Sequence, residues 1–167
     1  MKAAYLLIDV NRIKDWQSWS EDRLIDALNA EEIRRPDNVL YIDDSWDILH
    51  YLLCERTTAQ PIEGNALSEA IVGVNWFEED DEAAAFIAFS MPPDIVRIHD
   101  AIRKIRADEL PVALDYQSLK DAGVYQADWV NQEPEWASET VMHDFADLQR
   151  LYSRALAEKS AMVVSFL

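Results

Sequence analysis

His50 and Cys54 are the two side chains whose types and spacing most suggest chemistry, since they lie four residues apart. On a helix that spacing sets them on neighbouring turns of one face, where an imidazole can deprotonate a thiol and make it a nucleophile. A reactive cysteine needs an electropositive and accessible setting, however, and Glu55 follows Cys54 directly. The roles expected are therefore structural: His50 as a core histidine that satisfies a buried polar group, Cys54 as a small core residue. His99 and His143 stand far from both in the chain, and no HxxxH, HExxH or CxxC spacing occurs, so no metal site is expected. Carboxylate pairs such as Asp43 and Asp44 lack the D-x-[DN]-x-[DN]-G pattern of a calcium loop. The glycines, Gly64, Gly73 and Gly123, are scattered, which removes the clustered-glycine loops that cradle dinucleotides and phosphates. No cofactor is expected.

Two segments combine acidic and aromatic residues. Glu78, Glu79, Asp80, Asp81 and Glu82 are adjacent carboxylates that cannot be buried together, and Trp76 and Phe77 precede them. Asp128 and Trp129, then Glu133, Glu135 and Trp136, repeat the style. An aromatic anchor beside charges is the composition of an interface edge, so both segments are read as surfaces that bind a partner.

The elements that must position these residues follow from periodicity. Ala3 to Ile8 is continuously apolar, as in a strand buried on both faces. Ser18 and Glu21 fit a capping box for a helix that runs to about Arg35, before Pro36. Asn38 to Ile42 is a strand candidate. Asp44 or Ser45 can cap a helix whose apolar positions are Trp46, Leu49, His50 and Leu53. Thr57 to Asn65 reads as a loop, Ala66 to Val72 as a short helix closed at Gly73, and Ala83 to Phe89 as a strand. Pro92 and Pro93 open a helix expected to reach Glu109, with Ile95, Ile98, Ile102 and Ile105 on one face. Leu114 to Ala122 is a further short helix, Tyr125 to Trp136 an irregular Trp-rich stretch, and Val141 to Ala155 the core of a last long helix. Ala161 to Leu167 closes the chain as an apolar strand, and its expected neighbour is the N-terminal one. No internal repeat or linker interrupts the 167 residues. The fold class expected is α+β: a single domain with a small sheet, including both terminal strands, packed by several helices.

The net charge is −17 with histidines neutral. Nucleic acid requires clustered Lys and Arg to release counterions, so it is not expected as a direct partner, and anionic membrane is disfavoured for the same reason. With a lone cysteine, no signal-type segment in Met1 to Asp9 and no long apolar span, a cytoplasmic protein is expected.

Trp46 to Leu53 resembles the W-x-x-L-H-x-L-L signature of the YfbM-like family of uncharacterised bacterial proteins. Ala66 to Gly73 resembles that family's P-L-x-x-A-I-x-G, and Met91 to Val96 its L-x-P-x-x-V helix start. Gly123 to Tyr125 with Trp129 is similar to I-Y-P-x-x-W, and Phe145 onward to F-x-x-L-x-x-Y-x-x-A before a final apolar strand. The sequence departs from the family where Glu55 replaces a usual Gly, where Ala66 replaces Pro, and where Ala84-Ala85-Phe86-Ile87 replaces a G-Y-G-P stretch. The resemblance implies an α+β fold and brings no established activity. It singles out Trp46 and His50 as the residues of a possible shared pocket.

The function expected is that of an acidic, non-enzymatic binding protein that occludes a basic protein partner, in the sharpest form an immunity protein neutralising a bacterial nuclease toxin. A nuclease surface is positive because it grips phosphates, and complementary charge speeds its capture. The alternatives are a small-molecule binder or enzyme with a pocket around Trp46 and His50, and a housekeeping interaction module.

Overall fold

The structure is a computed structural model that describes residues 1–77 and 86–166. The acidic run Glu78 to Glu82, the start of the expected strand at Ala83, and Leu167 lie outside the described residues.

Five strands form one antiparallel sheet: β1 (Ala3–Ile8), β2 (Val39–Ile42), β3 (Asn75–Trp76), β4 (Phe86–Ser90) and β5 (Ala161–Phe166), in the order β2-β1-β5-β4-β3. The two terminal strands pair along their whole length, Ala3 opposite Phe166 and Ile8 opposite Ala161. Every residue of both is buried because helices cover both faces of the sheet. On one face Tyr5, Leu7, Met162 and Val164 join the larger core, with the helices α3 (Trp46–Cys54), α4 (Ala66–Val72), α5 (Pro92–Ile102) and α8 (Pro134–Glu158). On the other, Leu6, Ile8, Ala161 and Val163 meet Ile13 and Trp16 of α1 (Val10–Trp16) and Leu24 and Leu28 of α2 (Glu21–Arg34). Successive strand residues point to opposite faces, so a strand covered on both sides must be apolar throughout. The continuous runs at the two ends of the chain therefore encode the middle of the sheet.

The α+β expectation holds, as do the strand at 39–42, the loop at 57–65 and the helix closed at Gly73, whose φ is +80°. A Cβ on Gly73 would come within 2.9 Å of Ala88 Cβ on β4, so the close approach of α4's end to the sheet requires glycine there.

Four local expectations are corrected. The chain forms an extra helix, α1, capped by Asp9, whose carboxylate accepts from Asn11 N–H at 2.8 Å. Ser18 is no N-cap: its hydroxyl donates to the Asp15 carbonyl, and α2 starts after Ser20. The helix from Pro92 ends at Ile102, and a 3-10 segment, Ala107–Ala113, runs through Pro111 and packs on α8. The stretch from Tyr125 is not irregular. It contains α7 (Ala127–Gln132), and α8 opens at Pro134, where proline's fixed φ suits a first helical turn. Short α6 (Tyr116–Asp121) precedes them, capped by Asp115. Among the described residues no helix is long and apolar enough to cross a membrane.

Candidate functional site

Helix α3 carries the residues around which a site was expected, and it uses them to tether the loop that follows. His50 is 0% exposed. Its Nδ1 lies 2.6 Å from the Arg56 carbonyl, which can only accept, so Nδ1 carries the proton and Nε2 accepts from the Ser68 hydroxyl at 2.8 Å. Ser68 Oγ in turn accepts from Ile62 N–H at 2.9 Å. Asp47, one turn before His50, accepts from Thr58 N–H at 2.7 Å, from the Thr58 hydroxyl at 2.8 Å and from Tyr125 N–H at 2.7 Å. Glu69 on α4 accepts from Gly64 N–H at 2.8 Å. These side chains on two adjacent helices hold backbone groups at 56, 58, 62, 64 and 125. Without them the loop's amides and carbonyls would be desolvated with no partner.

That arrangement removes the dyad chemistry. Both His50 nitrogens are occupied by protein groups, leaving no base for Cys54. Burial lowers the imidazole's pKa, opposed by the Arg56 carbonyl and the Asp47 charge. Burial alone pushes the half-buried Cys54 thiol up to about 11, the opposite of an activated thiolate. Among the described residues no group of three or more His, Cys, Asp or Glu could hold a metal ion.

Trp46 parts company with His50. It heads a row of ring contacts: Tyr125 stacks on Trp46 at 5.2 Å, Trp46 meets Phe166 at 4.9 Å, Phe166 meets Phe86 at 5.0 Å, and Phe86 meets Trp76 at 4.0 Å. Trp46, Phe86 and Phe166 border an apolar cavity of about 190 Å³, and His50 is not among its lining residues.

The expected partner-binding residues divide into two groups. Trp76, on the edge strand β3, is 49% exposed, whereas Phe77 is 4% exposed and packs against Phe89 in the smaller core. Phe77 is therefore corrected from surface to core: on an extended chain adjacent side chains point to opposite faces, so exposing Trp76 buries Phe77. In the second segment Asp128, Glu133, Glu135 and Trp136 are all exposed. Trp129 is half-buried against the core and donates its indole N–H to Glu133 at 3.2 Å, while Asp128 accepts from the Tyr116 hydroxyl. Glu133, Pro134, Glu135, Trp136 and Glu139 surround an open depression of about 400 Å³, with Trp136 62% exposed. The loop-tethering residues Asp47, Ser68 and Glu69 went unnoticed in the sequence. Asp47 and His50 at i and i+3 on a helix otherwise so apolar are the available signal, because buried polar side chains there must answer to something.

A family model described as a domain of unknown function, DUF1877, matches residues 1–165. The chain belongs to that family. Among solved structures it is similar to the crystal structure of YfbM, a protein of unknown function from Escherichia coli, at 20% identity with a TM-score of 0.70 and with each chain covered completely. At that identity the likeness shows the fold alone. No curated protein matches the chain. The motif at Trp46 to Leu53 that resembled this family is the helix whose Asp47 and His50 pin the loop.

Proposed function

We propose that this DUF1877 protein is a binding protein that occludes a basic surface on a protein partner. Its narrower form is an immunity protein of the cytoplasm that neutralises a nuclease toxin. The observation that carries the reading is the corner at the start of α8, where Trp136 stands exposed among Glu133, Glu135 and Glu139. A large flat ring can bury area at small entropic cost, and carboxylates around it favour a Lys or Arg that lies across its face. The net charge of −17 adds long-range steering toward a positive target.

The test compares wild type with a Glu133→Lys, Glu135→Lys, Trp136→Ala variant as immobilised baits in lysate of the source cell, with elution by rising salt. The expected result is a basic protein that wild type retains, that salt releases, and that the variant does not hold. If both baits retain the same proteins, the corner is not the docking site; a retained partner that is not basic refutes the occlusion reading. For the toxin form, the eluted protein should have nuclease activity that wild type suppresses.

A further inference from the structure

Two cavities lie side by side beneath the loop that His50, Asp47 and Glu69 hold in place. The first is the apolar chamber of about 190 Å³, close in size to an engineered apolar cavity of roughly 150 Å³ that binds benzene. The second, of about 370 Å³, is bordered by Glu63, Glu69, Val74 and Trp76. Val72 lines both, and the same loop walls both, with Thr58 and Ala59 over the first and Pro61 to Glu63 over the second. The edge contact between Phe86 and Trp76 joins the aromatic side of one to the aromatic side of the other.

Trp46 and Glu69 bring buried polar atoms to the two chambers: Trp46 Nε1 has no hydrogen-bond partner, and Glu69 Oε2 is held by an ion pair with Arg97. Buried side-chain nitrogens and oxygens without a hydrogen-bond partner are few among the described residues: Trp46 Nε1, Glu69 Oε2 and Ser90 Oγ. Trp46 lines the apolar chamber and Glu69 the acidic one. Glu69 Oε2 lies 2.5 Å from an Arg97 nitrogen, an ion pair without the alignment of a hydrogen bond. Arg97 is shared, since Asp94 also approaches it at 3.8 Å. Two carboxylates thus face one guanidinium, exposed Glu63 adds another negative charge, and no Lys or Arg is among the residues lining the acidic chamber. Native proteins leave few buried polar atoms unpaired, and a ligand is one of the things that pairs them.

We propose that the two chambers form one cleft for a small molecule that carries a single aromatic ring and, on a short linker, an ammonium or guanidinium group. The ring fills the chamber bordered by Trp46, Phe86 and Phe166, where a hydroxyl on it offers an acceptor for an indole N–H. The cation enters beside Glu69 and Glu63 and lies against the exposed face of Trp76, where charge and ring both favour it. This site is separate from the corner at Trp136 and does not depend on the partner reading.

Calorimetric titration with tyramine tests it, with 4-hydroxyphenylacetate as the ligand of similar shape and opposite charge. Tyramine is expected to bind with a Kd of about 1 mM or tighter, within reach of a ligand of that size, and 4-hydroxyphenylacetate at least about tenfold more weakly. Trp76→Ala and Glu63→Gln alter exposed positions and should leave the circular dichroism unchanged while weakening tyramine about three- to tenfold. Glu133→Lys with Glu135→Lys should leave tyramine binding as in wild type, which separates this cleft from the docking corner. The proposal is overturned if tyramine gives no binding heat at about 10 mM, a concentration that fills a millimolar site. Equal binding of the two ligands overturns it as well, as does an unchanged Kd in both exposed variants.

Discussion

Asp47, Glu69 and His50 beneath the loop, and Glu133, Glu135 and Trp136 at the start of α8, draw on the same vocabulary of acids beside rings. Beneath the loop each polar group is buried and aimed at a backbone partner: Asp47 alone serves Thr58 and Tyr125. At the corner the same kinds of group face water, with only Glu133 engaged, by Trp129. Burial with partners converts charge into shape, since breaking a buried hydrogen bond leaves a desolvated group with nothing to bind. Exposure leaves charge unspent and available to another molecule. The contrast explains why the helix with the most suggestive spacing, His50 to Cys54, has no catalytic geometry, while a stretch that looked irregular in sequence presents an open acidic surface.

Asp47→Ala should sharpen this contrast most. It strands the Thr58 and Tyr125 amides and should lower the unfolding free energy by about 3 kcal/mol in urea titrations. A loss below about 1 kcal/mol would mean that the loop is held by something else.

The pH dependence of His50 comes next. Its folded pKa is lowered by burial, so between that value and the unfolded one, near 6.5, the unfolded chain binds the extra proton. Stability contributed by the neutral ring is complete above the unfolded pKa and is lost as pH falls below it. Protonating Nε2 also deprives the Ser68 hydroxyl of its acceptor. Between pH 7 and pH 5, wild type should lose about 1 kcal/mol more than His50→Gln, measured by denaturation at each pH. Parallel pH profiles would place His50 outside the load of the loop.

Glu55 offers a test in the opposite direction. It ends α3 in the left-handed conformation, φ +56°, where a side chain costs roughly 1 kcal/mol and glycine does not. Glu55→Gly should raise the denaturation midpoint, with a gain of about 0.5–1 kcal/mol after the flexibility of glycine in the unfolded chain is counted. The family resemblance had marked this position as one where Gly is usual.

Smallest should be the stability effect of the corner. Glu139→Lys, at the same corner but beyond the first turn of α8, should shift the unfolding free energy by less than about 0.5 kcal/mol, because exposed charges away from special features contribute little. A large loss there would erase the distinction between the two regions.

Much of this architecture was legible in the residues. The two terminal apolar runs announced strands covered on both faces, because only such strands are apolar at every position. Trp46, Leu49 and Leu53 announced α3 by their period, and Gly73 announced the end of α4. The extra helix α1 and the helix α7 were hidden because both are short, seven and six residues, and short periodic patterns resemble loops. Phe77 was misplaced because composition cannot say which way a residue beside an exposed tryptophan points. At the candidate site the residue types were visible, but their partners were not.

By itself the sequence determined the longer secondary elements, the membership of both termini in one sheet, the excess of negative charge and the absence of metal-ligand and phosphate-loop spacings. These are properties of neighbours along the chain, where period and composition carry the information. The tertiary structure alone decided that His50 binds a carbonyl instead of activating Cys54, that Asp47 ties residues 58 and 125 together, and that Val72 lines two cavities. Those facts depend on groups brought together across long separations in sequence, and a side chain's burial and partners, which fix its chemistry, exist only once that packing is made.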